Sequence, residues 1–315
     1  MAVLSPLPKF DDLTLLEELN LRHCWGLFGA KDNLGSLNKL TEEARLKAFD
    51  SVLSGQVVNL SLPLNEPQPA FYGRQTYEHV VFSRARNSND DYLTRLYLQS
   101  STQWDGLRHI RCREFGFYGG ATELVSENSE DLSISHWART GMIGRGALID
   151  VPRFASRTGI DYDPFSGDPV TVDLLLDAAE DQGLTLRQGD ILCVNFGWVQ
   201  SYYSLPTGER GESPGRSTFA GLEGSEDMAR YLWDTHVSAL ACDNPGAEVS
   251  PGDARVGSLH RRVIPMLGLA VGELFDFREL ARVCEERQRW DFLFVSVPLN
   301  LPGGVGSPAN AVGLV

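Results

Sequence analysis

The sequence lacks the short motifs of several large enzyme classes. It contains no GxSxG nucleophile elbow, no HExxH zinc motif and no Walker phosphate loop. Two glycine-containing segments, 144–146 and 304–309, are incomplete as dinucleotide loops. The first has no third glycine, and the second has Ala309 where glycine is needed. Serine hydrolases, zincins, nucleotidases and nicotinamide dehydrogenases are therefore disfavoured.

Cysteine is scarce and unclustered. The chain has 5 cysteines, an odd number, and no CxxC pair. This excludes a disulfide framework and a cysteine zinc site, and it suits a reducing compartment. Residues 1–8 lack a basic segment followed by an apolar one, so no signal peptide is expected. No stretch approaches the ~20 apolar residues of a membrane span. The expected location is cytoplasmic.

Positive charge is also scarce. The 28 Lys and Arg residues are outnumbered by 42 Asp and Glu residues, which gives a net charge of −14. Binding to nucleic acid or to an anionic membrane needs a basic face, so both partners are disfavoured. What remains is a chain of 315 residues that is 42% apolar, which is ordinary for a globular protein. The expected partner is a small-molecule substrate.

Hydrophobic periodicity predicts mixed strands and helices. Helices are expected at 41–54, 134–140, 172–182, 227–235, 258–267 and 277–286. Strands are expected at 55–62, 92–98, 147–151, 191–196, 237–243, 269–274 and 292–299. Irregular segments are expected at 63–87, 141–146, 152–168 and 302–308, and 201–224 is interpreted as a lid or subunit contact. No composition break divides the chain, which favours one α/β unit in which residues 1–54 pack on a catalytic domain at 55–315.

Polar side chains with the chemistry of metal ligands are concentrated just after the strand expected at 92–98. Divalent metals in proteins bind carboxylate, imidazole and carboxamide groups. Each candidate alone also fits an ordinary structural role. However, Glu273 lies in an apolar segment and needs a partner, which a metal or an arginine would supply. The candidates are Gln99, Gln103, Asp105 and His109, with His260 and Glu273 from the C-terminal third.

The segment 99–109 resembles the signature His-x-Gly-Thr-His-x-Asp-x-Pro-x-His of the cyclase family, which includes bacterial kynurenine formamidases and isatin hydrolases. When the segment is aligned on Asp105 and His109, two family histidines fall on Gln99 and Gln103, and the family proline falls on Leu107. The version Gln-Trp-Asp-Gly-Leu-Arg-His is most similar to a branch found widely in fungi.

A second family landmark is a histidine about a dozen residues before a glutamate, and it matches His260 and Glu273. The resemblance implies a swivelling β/β/α (cyclase-like) single-domain fold and a homodimer or larger homo-oligomer. It also implies a divalent metal, zinc or manganese, with Asp105 as a third ligand. The implied reaction is hydrolysis of an amide or lactam, with His109 as the acid/base residue.

The two glutamines depart from the family pattern. They correspond to metal ligands only by position, because carboxamide oxygen is a weaker donor than imidazole and is better suited to manganese or magnesium. A single, oxygen-rich site is then expected rather than a two-zinc site. The alternative is loss of the metal, which would leave Asp105, His109, His260 and Glu273 as an acid/base cluster.

Three functions are compatible with these residues. The first is a metal-dependent hydrolase of an amide, lactam or lactone bond in a small cyclic or aromatic metabolite, with His109, Asp105 and Glu273 as catalytic residues. The second is a cyclase or dehydratase of secondary metabolism that need not hold a metal, and the third is a non-catalytic binding protein. Aromatic side chains predicted to line the substrate pocket are Trp104, Phe71, Tyr72, Trp198 and Tyr202.

Overall fold

The structure is a computed structural model that describes residues 6–122 and 129–315. The first five residues of the N-terminal segment discussed above lie outside the described residues. The strands are β1 (Thr14–Leu16), β2 (Leu21–His23), β3 (Val57–Asn59), β4 (Glu78–Ala85), β5 (Ser88–Thr94), β6 (Gln103–Asp105), β7 (Met142–Asp150), β8 (Pro169–Val170), β9 (Ile191–Asn195), β10 (Gly221–Leu222), β11 (Ala239–Cys242), β12 (Ala270–Glu273), β13 (Asp291–Ser296), β14 (Gly306–Pro308) and β15 (Ala311–Leu314).

Helices connect most of these strands, with short 3₁₀ turns between them. The α-helices are α1 (Glu42–Ala48), α2 (Ser135–Thr140), α3 (Val151–Thr158), α4 (Val172–Asp181), α5 (Trp198–Ser204), α6 (Glu226–Asp234), α7 (Leu259–Val263) and α8 (Arg278–Arg287). Within the described residues, no helix is long and apolar enough to cross a membrane.

A nine-stranded sheet organises the molecule, in the order β14-β6-β12-β11-β9-β7-β13-β15-β3. Strands β12, β11, β9 and β7 run parallel to one another, and the other neighbouring pairs are antiparallel. The sheet curls into a half-barrel, which agrees with the predicted α/β, cyclase-like fold class. The parallel strands β9, β11 and β12 are almost continuously buried, because helices and loops cover both faces of a parallel sheet.

Local capping signals account for the helices that the sequence predicted well. The side chain of Thr171 accepts a hydrogen bond from the backbone nitrogen of Leu174 and begins α4. Thr41 caps α1 in the same way, although the α-helix ends at Ala48 and only a 3₁₀ turn continues to Ser51. The predictions at 134–140, 227–235 and 277–286 are confirmed within one residue at each end.

The irregular segment predicted at 152–168 is wrong, because α3 occupies its first half. The Asp150 side chain accepts a hydrogen bond from the backbone nitrogen of Arg153 and caps this helix, while Pro152 occupies its first turn. Proline is well tolerated there, since the first turn has no intrahelical acceptor for its missing N–H group. The proline at the start of the expected irregular segment therefore lies in the first turn of a helix.

Three strands also contradict the predicted irregular segments. Strand β7 begins at Met142, within the expected loop 141–146, because its first six residues pair with β13. Strand β4 lies within 63–87 and pairs with β5 as a separate hairpin. The tail 302–308 contains β14, which pairs with β6. In the last two cases the strand forms where a partner is available, although the sequence of the segment is polar or rich in glycine and proline.

The N-terminal segment is hydrogen-bonded to the central unit. The backbone nitrogen of Cys24 donates to the carbonyl of Met266, and that of Ser36 donates to the carbonyl of Gly268. The segment 201–224, interpreted from sequence as a lid or subunit contact, contains the end of α5 and strand β10, which pairs with β8. Its role at a subunit contact stays a prediction.

Candidate active site

Two neighbouring antiparallel strands position one wall of the site. Gln103 of β6 lies directly opposite Glu273 of β12, and Asp105 follows two residues later. Because side chains alternate along a strand, Gln103, Asp105 and Glu273 share one face of the sheet. The Gln103 Nε2 group donates a hydrogen bond to Glu273 Oε2 at 2.6 Å. The register of this strand pair therefore brings together residues separated by about 170 positions in sequence.

Trp104 faces the other way and is fully buried behind this wall. It lies opposite Gly272, where a Cβ would stand 2.8 Å from the indole ring and 2.6 Å from Phe275. The indole packs edge-on against Phe275 and donates a hydrogen bond to Ser296 Oγ at 2.9 Å. Glycine at 272 therefore leaves room for a large ring that supports β6 from the core side.

His260 of α7 completes a cluster with Asp105 and Glu273. Its Nε2 atom lies 3.0 Å from Glu273 Oε1 and 3.9 Å from Asp105 Oδ2. One ligand atom from each of these three residues falls within 4.8 Å of the other two. The three residues predicted as metal ligands through the family landmarks therefore converge in space.

Glu248 fixes the orientation of His260. Glu248 Oε1 lies 2.8 Å from His260 Nδ1, and the Ser258 hydroxyl donates to the same oxygen at 3.0 Å. A carboxylate that holds one imidazole nitrogen directs the other nitrogen toward a ligand, as is usual for metal-binding histidines. Burial lowers the pKa of His260, but its hydrogen bonds to Glu248 and Glu273 outweigh this and raise the pKa well above the usual value.

Gln99 connects the cluster to His109. Its Nε2 group donates to Asp105 Oδ1 at 2.7 Å and lies 2.8 Å from His109 Nδ1. The amide has two hydrogens, one for each contact, so His109 Nδ1 is the acceptor and Nε2 carries the ring proton. Burial lowers the pKa of His109, although Asp105 opposes this effect. His109 Nε2 lies 3.5 Å from Asp105 Oδ2, so the ring faces the same carboxylate as His260.

The donor set fits a divalent cation. Asp105 and Glu273 are buried, and within residues 6–122 and 129–315 neither forms an ion pair with lysine or arginine. Burial, followed by repulsion from Asp105, raises the pKa of Glu273 to about 7. Gln103 Oε1 is also buried and has no hydrogen-bond donor among the described residues. A cation would compensate both carboxylates and offer this oxygen a partner.

The two glutamines face the carboxylates through their nitrogen atoms. Gln103 donates to Glu273 and Gln99 donates to Asp105, so both act here as hydrogen-bond donors to carboxylates. This is the only orientation that the carboxylates favour, because a rotated amide would place its oxygen against another oxygen. Their role as metal ligands, which was inferred from position in the family signature, stays a prediction.

The family model described as "Putative cyclase" matches residues 58–249. The chain belongs to this family. A solved structure described as a novel cyclase shares 28% sequence identity with it at a TM-score of 0.81, and the match covers 93% of this chain and 99% of the other. A comparison with curated proteins gives no match.

More distant structures share the fold of this cyclase-family chain. An isatin hydrolase bound to the product analogue thioisatinate has a TM-score of 0.59 at 15% identity, and the match covers 87% of this chain and 99% of that one. Isatin hydrolase A from Ralstonia solanacearum has a TM-score of 0.59 at 13% identity, with 87% of this chain and 97% of that one covered. At these identities the likeness establishes the fold alone.

A cavity of about 440 Å³ opens beside the cluster. Of the five aromatic residues predicted to line the substrate pocket, only Tyr72 lies on its wall. Phe71, Trp198 and Tyr202 pack on one another in a separate buried group, and Trp104 lies behind β6. The prediction for these four does not match their positions, because large apolar rings are recruited by the core. The wall includes Asp105, His109, Glu248, His260, Glu273, Tyr72, Arg74, Phe219 and Arg261.

Sequence reasoning missed several polar residues of this cavity, of which Glu248 and Arg74 matter most here. Glu248 lies in a loop and carries no local motif, and its distance of 12 residues from His260 does not predict a contact. Arg74 lies in a segment interpreted as irregular and polar. The one available signal was that Glu273 requires a compensating group, since this argument names metal and arginine as possible partners. That argument does not identify Arg74 as the arginine close to Glu273.

Proposed function

We propose that this cyclase-family protein is a metal-dependent hydrolase of an amide, lactam or lactone bond in a small cyclic or aromatic metabolite. The observation that carries the proposal is the convergence of Asp105, His260 and Glu273 beside His109 at the wall of one cavity. The cavity volume of about 440 Å³ is within the range of small-molecule sites.

Asp105, His260 and Glu273 would hold the ion, either Mn²⁺ or Zn²⁺. When bound, a divalent cation polarises a carbonyl oxygen and lowers the pKa of water. His109 would move the proton, since its neutral ring can accept one and later release it to the leaving nitrogen or oxygen. Gln99 donates to Nδ1 of that ring, so Nε2 carries the proton that the ring can release, and the ring accepts another proton only at Nδ1, when the Gln99 contact opens. Glu248 keeps His260 in its ligand orientation.

The test is hydrolysis of a panel of small lactams, lactones and N-acyl aromatic amines by the purified protein. We expect activity on at least one class, loss of that activity after chelation, and its recovery on adding Mn²⁺ or Zn²⁺. Full activity in the presence of a chelator would contradict metal dependence. Turnover that incorporates no oxygen from labelled water would contradict hydrolysis.

A cyclase or dehydratase of secondary metabolism is the second candidate, and one observation favours it. The amide groups of Gln99 and Gln103 donate to both cluster carboxylates, which partly satisfies them without a cation. His109 and His260 could then transfer protons directly on the substrate. Chelator-resistant turnover that gives a ring-closed or dehydrated product would support this candidate over hydrolysis.

We also propose that the protein acts as a homodimer in the cytoplasm. The β4–β5 hairpin forms its own two-stranded sheet and exposes Val81, Phe82, Tyr92 and Leu93. An isolated hairpin is only marginally stable in water, so a partner surface for these side chains is expected. Light scattering should give twice the chain mass, and replacement of Phe82 and Tyr92 by serine should give the monomer mass. A monomeric parent protein would contradict this assembly.

A further inference from the structure

Arg74 lies on the wall of the cavity, close to the catalytic cluster. Its Nη1 group donates to the backbone carbonyl of Gln99, whose side chain contacts both Asp105 and His109. The guanidinium group also stands 5.2 Å from the centre of the Tyr72 ring. Arg74 is therefore linked to the proton-transfer residue through a single intervening amino acid.

Arg74 has no carboxylate partner within 4 Å among the described residues. In the part of the chain that the structure describes, its side chain donates to one acceptor, the neutral carbonyl of Gln99, although guanidinium has five N–H donors. Arg145 shows the contrasting case, since it is buried and contacts both Asp190 and Asp291. Glu273 is near enough to feel the charge of half-buried Arg74 but does not pair with it directly, so most of the guanidinium N–H donors are open to an anionic ligand.

The wall next to Arg74 suits a flat apolar ring. The Tyr72 hydroxyl donates to the carbonyl of Pro245 at 3.1 Å, which fixes the ring at the rim. Tyr72 has a φ of 59°, in the left-handed region that is unfavourable for a residue with a side chain. The strained backbone therefore lies in the same short segment that places Tyr72 and Arg74 on the cavity wall, and strain of this kind is common at functional sites. Phe219, Ile110 and Val249 supply further apolar surface.

We propose that the substrate is a carboxylate-bearing aromatic or cyclic compound and that Arg74 is the residue that selects its anionic group. The inference rests on the proposed function in one respect, which is that this cavity is the substrate site. The planar guanidinium matches the geometry of a carboxylate and can bind both of its oxygens. Arg261 of α7 also lines the cavity without an ion pair in the described chain, and the two arginines offset part of the negative charge that Asp105, Glu248 and Glu273 place on the same wall.

Arg74 also has a structural contact, since it donates to the carbonyl of Gln99. A purely structural role predicts that its replacement weakens every ligand and lowers the melting temperature. Anion selection predicts a loss confined to charged ligands. Arg74→Met removes the charge and the fork of donors, whereas Arg74→Lys keeps the charge alone. Arg255→Met is the matched control, because Arg255 is exposed and pairs with Asp253.

The experiment compares the binding of benzoate with that of its neutral isostere benzamide by titration calorimetry, on Mn²⁺-loaded protein and again after chelation. We expect the parent protein to prefer benzoate by at least about 10-fold in both states, in line with the strength of charge-assisted hydrogen bonds. Arg74→Met should abolish this preference and leave benzamide binding unchanged. Arg74→Lys should retain part of it, and Arg255→Met all of it.

Two outcomes would overturn the inference. One is a parent protein that shows no preference for benzoate, including one that binds neither probe. The other is a preference for benzoate that survives Arg74→Met, which would mean that the metal or another cationic residue binds the carboxylate. Neither outcome depends on turnover, so a protein that selects benzoate through Arg74 but hydrolyses nothing would contradict the proposed function alone.

Discussion

The two sides of the candidate active site are built differently. The wall that carries Gln103, Asp105 and Glu273 lies on paired strands of the central sheet, where register fixes each side chain. The rim that carries Arg74 and Glu248 lies on turns and loops. Rigid strands hold reacting groups in place, whereas loops vary without disturbing the core. We therefore expect the wall to determine the chemistry and the rim to determine ligand orientation and selection.

The largest expected effect comes from the wall. Glu273→Gln keeps the size and the contact with Gln103 but removes one charge from the cluster. We expect metal affinity to fall by more than about 100-fold. Replacing a residue that only hydrogen-bonds to a metal ligand already lowers affinity by up to that factor, and Glu273 is itself a proposed ligand. Calorimetry with Mn²⁺ measures it, with the exposed Glu43→Gln as the control. Unchanged affinity in Glu273→Gln would show that the wall does not hold the ion.

His109→Gln should separate proton transfer from metal binding. His109 lies beside Gln99 and 3.5 Å from Asp105, and it is absent from the three-residue metal group. We expect kcat to fall by about 10²–10⁴-fold, the usual contribution of an acid/base residue, with metal content unchanged. His79→Gln, on the exposed hairpin, is the control. Near-normal kcat in His109→Gln would remove this residue from the mechanism.

Glu248→Ala tests the rim through the orientation of His260. Loss of the carboxylate on Nδ1 should weaken metal binding by about 10–100-fold, which is typical for the outer partner of a metal-binding histidine. Glu248→Asp and Glu248→Gln each keep an acceptor and should recover part of this loss. If all three variants bind metal as the parent does, Glu248 is a surface contact and does not position His260.

The smallest effect on activity should come from Trp104, which lies on the core-facing side of β6. Trp104→Phe removes the hydrogen bond to Ser296 and leaves a space beside Phe275. We expect unfolding free energy to fall by about 1–3 kcal/mol, with KM and kcat close to those of the parent. Denaturant unfolding and steady-state kinetics check both parts. A large rise in KM would mean that the indole contacts substrate after all.

The sequence predicted what local chemistry determines. Helix α4 was recognised because its cap, Thr171, and its apolar positions are contiguous in sequence. The three residues of the cluster, Asp105, His260 and Glu273, were recognised through the family resemblance. Helix α3 was missed because a proline such as Pro152 disrupts the interior of a helix but is well tolerated in its first turn. A local pattern cannot distinguish these cases without the cap provided by Asp150.

Long-range pairing accounts for the rest. Strand β14 is rich in glycine and proline and forms because β6 offers it hydrogen-bond partners. Trp104 was predicted to line the substrate pocket, yet strand alternation turns it to the core. Glu248 meets His260 only after the loop folds back on α7. None of these contacts has a signal in the residues nearby.

The central claim is that Asp105, His260 and Glu273 hold one divalent ion. The most direct test is to strip the protein with a chelator, dialyse it against Mn²⁺ or Zn²⁺, and measure bound metal by mass spectrometry of the parent and of Asp105→Asn. We predict one ion per chain in the parent and a loss of most of it in the variant. A parent protein that retains no metal, or equal metal in both proteins, would contradict the account.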